Sequence, residues 1–202
     1  MRINNTYRFF ITSALSVFFI ASIAFSDDEK AEGIGWAKDQ WTILGGYGVT
    51  HPGFGNTRTV VETVDLMISR GRFFTQEIGR SWYRGRHEII LEIPFNLVVR
   101  PETTLMTGIT LLGCWNITSV SEKFIPYFIA GGGLIYTELD APELGSKLNG
   151  NYQAGAGLRY FISKDTSIDF NYRYHHISNA GTAKPNDPLN SSKLLIGISV
   201  FQ

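Results

Sequence analysis

The chain reads as all-β: an eight-stranded antiparallel transmembrane β-barrel of the outer membrane. Three observations predict it. An export signal opens the sequence, no later apolar run is long enough for a membrane helix, and repeated segments alternate apolar and polar residues with period two.

Arg2 and Arg8 supply the positive start of the signal, and Phe9 to Phe25 a mainly apolar run diluted by Thr12, Ser13, Ser16 and Ser22. Ala24-Phe25-Ser26 fits a small-x-small cleavage site, and the acidic Asp27-Asp28-Glu29 follows. Residues 1–26 are therefore expected to be removed, 27–38 to form a mobile leader and 39–202 the barrel domain. A retained single-span anchor is the alternative, but the run is short and polar-diluted for a bilayer. With Arg2 and Arg8 gone, 16 of the 18 basic residues face 18 acidic ones. That balance leaves no footprint for nucleic acid. Cys114 is alone, so no internal disulfide forms; in its apolar segment it reads as a packed thiol.

Strands are expected near 40–50, 58–68, 86–98, 104–115, 125–137, 150–162, 166–178 and 190–201. Successive residues on a strand point to opposite faces. In the third, Ile89, Leu91, Ile93, Phe95 and Leu97 oppose Glu88, Ile90, Glu92, Pro94 and Asn96. In the sixth, Tyr152, Ala154, Ala156, Leu158 and Tyr160 oppose Gln153, Gly155, Gly157 and Arg159. In the seventh, Ile168, Phe170, Tyr172, Tyr174 and His176 oppose Asp169, Asn171, Arg173 and His175; in the eighth, Leu194, Ile196, Ile198 and Val200 oppose Lys193, Leu195, Gly197 and Ser199. A soluble sandwich accounts for the same alternation with the apolar face inside. Lipid outside is favoured because Glu88, Glu92, Arg159, Asp169 and Arg173 can neutralise one another in a small lumen, and because Tyr and Phe recur near strand ends as in interfacial girdles. The second strand is the least regular: Glu62 and Asp65 fall on opposite faces, and the Arg-rich stretch 69–85 is long for a periplasmic turn.

An even strand count leaves both termini on the periplasmic side, so the seventh strand runs outward and residues 179–189 face the exterior. His176 and Ser178 then lie at the outer rim, on the face of Phe170, Tyr172 and Tyr174. At i and i+2 their Cα atoms lie roughly 6.6 Å apart. A neutral imidazole can take the serine proton and return it to a leaving group, and the serine can form an acyl-enzyme with an ester. A third group should orient the imidazole. Asn190, with the outward parity of Leu194, is favoured on geometry; Asp187 has the stronger charge but sits in the loop. Asn179 and the amide of Gly181 are close enough in sequence to supply oxyanion donors.

The tract His176-Ile177-Ser178-Asn179-Ala180-Gly181, with Lys184-Pro185-Asn186 after it, resembles the lipid A 3-O-deacylase (PagL, acyloxyacyl hydrolase-like) family. Weaker similarity runs through Pro126 to Gly133 and Gln153 to Tyr160. The resemblance implies an eight-stranded barrel in a Gram-negative outer membrane that cleaves the ester-linked acyl chain at position 3 of lipid A in lipopolysaccharide, with no cofactor and no metal. It matches His176 to the family's base and Ser178 to its nucleophile, and it matches Asn179, Gly181 and Asn186 to positions that shape the loop and oxyanion site. The best-known members carry Glu where this chain has Asn190.

Other features read as structural. His175 faces the lumen, and His51 and His87 have no metal-ligating partners in view. Gly131-Gly132-Gly133 and Gly155-Ala156-Gly157 open no helix and lack a following Lys-Ser/Thr, so they suit a crowded lumen better than a phosphate. Two rival functions stand beside the esterase: a non-enzymatic structural or adhesion barrel retaining the motif, and a hydrolase or acyltransferase acting on another membrane lipid.

Overall fold

The computed structural model describes residues 33–202; the expected signal peptide and the leader up to residue 32 lie outside them. Among these residues eight strands close a barrel in sequence order: β1 (Asp39–Thr50), β2 (Glu62–Phe73), β3 (Gly85–Arg100), β4 (Thr104–Ile117), β5 (Phe124–Thr137), β6 (Leu148–Phe161), β7 (Thr166–Ser178) and β8 (Leu189–Phe201). Every neighbour is antiparallel, and β1 closes against β8 from Gln40↔Phe201 to Thr50↔Ser191. Closure leaves no strand edge to be desolvated in lipid.

The two faces decide between sandwich and membrane barrel. Lys193 is 2% exposed while its neighbour Leu194 is 68% exposed, the inverse of a soluble strand. Outward residues form an apolar band that includes Ile43, Val64, Leu91, Ile93, Leu111, Phe128 and Phe170. The buried charges are paired across the lumen. Arg159 lies 3.3 Å from Glu88 and 3.5 Å from Asp169, Arg173 lies 2.7 Å from Glu92, and Lys193 lies 2.8 Å from Asp65. Charges taken out of water persist only when paired and hydrogen-bonded. Gly157 shows how tight the interior is: a Cβ there would come within 2.2 Å of the Tyr127 ring.

Apolar plugs stopper both ends of this ionic middle. Val98, Met106, Ile135, Ile177 and Leu189 close one end, and Ile34, Phe73, Ile125, Phe161 and Phe201 the other. Cavities of about 20 and 10 Å³ inside the wall hold a water at most, so among the described residues this interior is a packed core. Residues 33–38, grouped with the mobile leader in the sequence, pack into the second plug. Ile34 and Ala37 are buried, and Arg86 donates to the carbonyls of Ile34, Gly35 and Ala37.

The second strand departs from its expected position, starting at Glu62 and running on to Phe73. Its inward residues are Thr63, Asp65, Met67, Ser69, Gly71 and Phe73. Glu62 confused the pattern because it is a rim residue, bound to Tyr47 and Arg100 at 2.6 and 2.7 Å. Arg70 and Arg72, read as part of a turn, are exposed on the strand; Arg70 lies 5.5 Å over the Trp41 ring. The turn that remains, residues 74–84, holds a single 3-10 turn at Ser81–Tyr83.

At the opposite end four loops join the strands: L1 (51–61), L2 (101–103), L3 (138–147) and L4 (179–188). Glu143 of L3 ties L1 to this group. Its buried carboxylate accepts from the amides of Arg58 and Thr59 and from the Thr59 hydroxyl at 2.6–2.8 Å. L3 also meets L4, through Gly145 N–H to the Pro185 carbonyl and Asp187 N–H to the Glu143 carbonyl. Burial opposes ionisation of Glu143, but the amides of Thr59 and Arg58 and the Thr59 hydroxyl more than offset it and hold the carboxyl below the usual carboxylate range.

Two expectations follow from this packing. Arg173→Met leaves Glu92 buried without its partner and should cost about 3–5 kcal/mol, read as a lower urea midpoint of the heat-modifiable gel shift. The double variant with Glu92→Gln should recover most of that loss. For Glu143 the folded pKa is depressed, so its contribution is complete above the unfolded value near pH ~4.3 and is lost as pH falls through the lower folded value. Exchange protection of the Thr59 amide should therefore hold from neutral pH to about that value and fall below it. In Glu143→Gln protection should be weaker and flat across the window; a flat wild-type profile would count against the clamp.

Candidate active site

On β7 the outward residues climb from Ile168 through Phe170, Tyr172, Tyr174 and His176 to Ser178, and the last three are half-buried under the loops. Register places His176 between Tyr152 of β6 and Asn190 of β8. Ser178 pairs with Gly150, so no β6 side chain stands opposite its hydroxyl.

The three residues form a relay. His176 Nε2 lies 3.1 Å from Ser178 Oγ, and His176 Nδ1 lies 2.8 Å from Asn190 Oδ1. An amide oxygen only accepts, so Nδ1 must carry the proton and Nε2 presents its lone pair to the serine hydroxyl. This is the tautomer that a general base needs. The Tyr174 hydroxyl donates to the same Asn190 oxygen at 2.6 Å, and the Tyr152 ring packs 6.0 Å from the imidazole. Asp187, the charged alternative for the third position, is turned away: it binds Arg58 at 2.6 Å and Asn56 at 3.1 Å.

L4 is wound around Asn179. Its backbone N–H donates to Asn186 Oδ1, its side-chain amide donates to the Pro185 carbonyl, and its Oδ1 accepts from Gly181 N–H, all within 2.9–3.0 Å. Ala180 and Gly181 adopt φ of 53° and 81°, the left-handed conformation that lets the chain reverse directly after β7. The sequence singled out Asn179 and Gly181 as donors to an oxyanion. In the folded loop those groups are engaged with one another and shape the turn. Among the described L4 donors, the Ala180 N–H, two residues from Ser178, makes no hydrogen bond to protein.

Below the relay the outer face opens into a groove of about 550 Å³ lined by Ala156, Leu158, Phe170, Tyr172, Leu194 and Ile196. Ala156 pairs with Tyr172 and Leu158 with Phe170, so the two small or aliphatic β6 side chains leave a trough between the aromatic rings. Of the other histidines, His175 is buried in the lumen, and His87 stacks on Trp115 with ring centroids 6.0 Å apart. His51 lies 2.8 Å from Ser192 Oγ, which in turn meets the Tyr172 hydroxyl at 2.7 Å. Sequence reasoning missed Tyr174 as a partner of Asn190, although its outward parity next to His176 was the available signal. It also missed L1, which reaches Asn190 through the Phe54 carbonyl, the His51 N–H and the Thr57 hydroxyl.

A family model described as lipid A 3-O-deacylase (PagL) matches residues 68–199, from within β2 to within β8. The solved structure of the outer membrane enzyme PagL is 19% identical over 80% of this chain and 98% of its own, with a TM-score of 0.55. Neisserial surface protein A is 16% identical over 80% of this chain and 96% of its own, with a TM-score of 0.58. At these identities the likeness is one of fold, an outer-membrane eight-stranded barrel. No curated protein sequence matches the chain. The family match covers well over half of the chain and includes β7, all of L4 and Asn190, and the chain belongs to the lipid A 3-O-deacylase (PagL) family.

Proposed function

We propose that the protein is an outer-membrane serine esterase that removes the ester-linked acyl chain at position 3 of lipid A. The observation that carries this reading is the Ser178–His176–Asn190 relay, hydrogen-bonded at 3.1 and 2.8 Å on the lipid-facing side of the barrel. The loop end faces the cell exterior, so the relay sits at the rim of the outer leaflet. Lipid A lies beside it, and its acyl chain runs down the trough between Phe170, Tyr172 and Leu194.

Ser178 Oγ attacks the ester carbonyl carbon as its proton passes to His176 Nε2. The Asn190 oxygen holds the resulting imidazolium through Nδ1–H. The carbonyl oxygen takes up the negative charge, and the uncommitted Ala180 N–H is a donor close in sequence that can meet it. The tetrahedral intermediate collapses by breaking the bond to the sugar oxygen, which receives the proton from His176. Water then enters, loses a proton to His176 and attacks the acyl-enzyme carbonyl. The fatty acid departs and Ser178 recovers its proton.

Mass spectrometry of lipid A from cells making the protein is the direct test. The wild type should yield lipid A lacking one ester-linked chain, and Ser178→Ala or His176→Ala should slow that loss by roughly 10³-fold or more. Identical acylation with wild type and Ser178→Ala would sink the lipid A reading, and phospholipid substrates run in parallel would reveal an esterase of other specificity. Ala156→Phe fills the trough; it should raise KM for long-chain esters while leaving hydrolysis of a short-chain ester unchanged. An equal effect on both chain lengths would show that the acyl chain lies elsewhere.

A further inference from the structure

We infer that L1 belongs to the catalytic apparatus: the carbonyl of Phe54 locks the amide of Asn190, which builds the relay for a neutral third member and against a carboxylate. This rests on the esterase reading above.

Asn190 is buried, and its polar atoms are nearly all committed. Its Oδ1 takes the Tyr174 hydroxyl and faces His176 Nδ1. Its Nδ2 donates to the Phe54 carbonyl at 3.0 Å. Its backbone N–H donates to Thr57 Oγ1 at 3.0 Å, and its backbone carbonyl accepts from the His51 N–H at 2.8 Å. A backbone carbonyl has no proton to give, so the atom facing Phe54 must be a donor. That requirement turns Nδ2 toward L1 and Oδ1 toward the imidazole. The Phe54 carbonyl thus sets the amide, the amide sets the imidazole tautomer, and the tautomer aims a lone pair at Ser178.

A carboxylate inverts this logic. Both of its oxygens accept, so one would face the Phe54 oxygen with no proton between them, in a buried place where two unpaired acceptors are costly. L1 has little freedom to retreat. The Thr57 hydroxyl donates to the Pro188 carbonyl at 2.9 Å, Glu143 holds the amides of Arg58 and Thr59, and Asn56 and Arg58 grip Asp187 of L4. The Phe54 ring packs edge-on against Tyr174, with centroids 5.9 Å apart. Gly55, at φ +59°, lies so close that a Cβ there would stand 3.1 Å from Asn190 Nδ2. The longer Glu side chain meets the same wall.

Purified full-length variants in detergent micelles separate the possibilities, assayed for kcat and KM on a p-nitrophenyl ester and for fluorophosphonate labelling of the serine. The heat-modifiable gel shift reports the fold of each. Asn190→Asp keeps the size and exchanges the Nδ2 donor for a charged acceptor; it should lower kcat and the labelling rate at least about tenfold with KM retained. Asn190→Glu should be no better than Asn190→Asp. Gly55→Ala, which touches no reacting atom, should lower kcat several-fold at unchanged KM, and Tyr174→Phe should do the same. An acid at position 190 that raises kcat, or leaves it unchanged, in a folded barrel overturns the inference. So does a Gly55→Ala protein with wild-type kcat. If Ser178→Ala itself retains labelling and hydrolysis, it is the esterase reading that falls; if Ser178→Ala is dead while Asn190→Asp is faster than wild type, only the L1 lock falls.

Discussion

Every backbone N–H and C=O that enters lipid must already have a partner, and the β1–β8 pairing is where this chain meets that demand. The remainder of the architecture follows from that closure. Eight strands enclose a narrow lumen, so inward residues must fill it and inward charges must find each other. They do so through Arg159 with Glu88 and Asp169, Arg173 with Glu92, and Lys193 with Asp65. With the interior filled and stoppered at both ends, the surfaces left to meet a ligand are the outer wall and the loops. His176 and Ser178 lie where those two meet.

Period two made most of this legible in the amino-acid order. A one-residue slip would exchange Lys193 with Leu194, so the alternation specifies the face of each residue wherever a charge and a large apolar side chain sit side by side. β7 and β8 are of that kind, and the outward set read from them is the outward set in the fold. β2 was harder because, Asp65 apart, its charges (Glu62, Arg70 and Arg72) lie outside the lumen. Glu62 is satisfied at the rim by Tyr47 and Arg100, and Arg70 covers Trp41 near the opposite rim, where a strand residue is as solvated as a turn residue. The packed stretch 33–38 was hidden for a related reason. Its anchor is a distant side chain, Arg86, that reaches three of its backbone carbonyls, and carbonyls carry no sequence signature.

The same division runs through the candidate site. His176 and Ser178 could be placed from spacing, and Asn190 from parity plus the hairpin that returns β8 to β7. Those are side chains on regular strands. What holds them was not readable: the Phe54 carbonyl on Asn190, the Arg58 and Thr59 amides on Glu143, and Gly181 N–H on Asn179. Each is a main-chain group in a loop, brought to its partner by folding. Asn179 and Gly181 show what proximity alone leaves out. Both are near Ser178 in sequence, and in the fold the Asn179 side-chain amide also donates to the Pro185 carbonyl and the Gly181 N–H to Asn179 Oδ1.

An uncharged third member looked, in the sequence, like a weakened version of an acidic one. The surroundings argue otherwise. A carboxylate helps an imidazole in two ways, by fixing its tautomer and by compensating its charge, and only the second requires a negative group. Here the first is accomplished by a fixed amide oxygen, itself polarised by the Tyr174 hydroxyl at 2.6 Å and prevented from rotating by the Phe54 carbonyl at 3.0 Å. In the proposed reaction the second is partly supplied by the oxyanion, which forms together with the imidazolium. A neutral third member also adds no charge at the boundary between loop and lipid. Asn190 is therefore better understood as one half of a matched pair with the L1 backbone than as the loss of an acid.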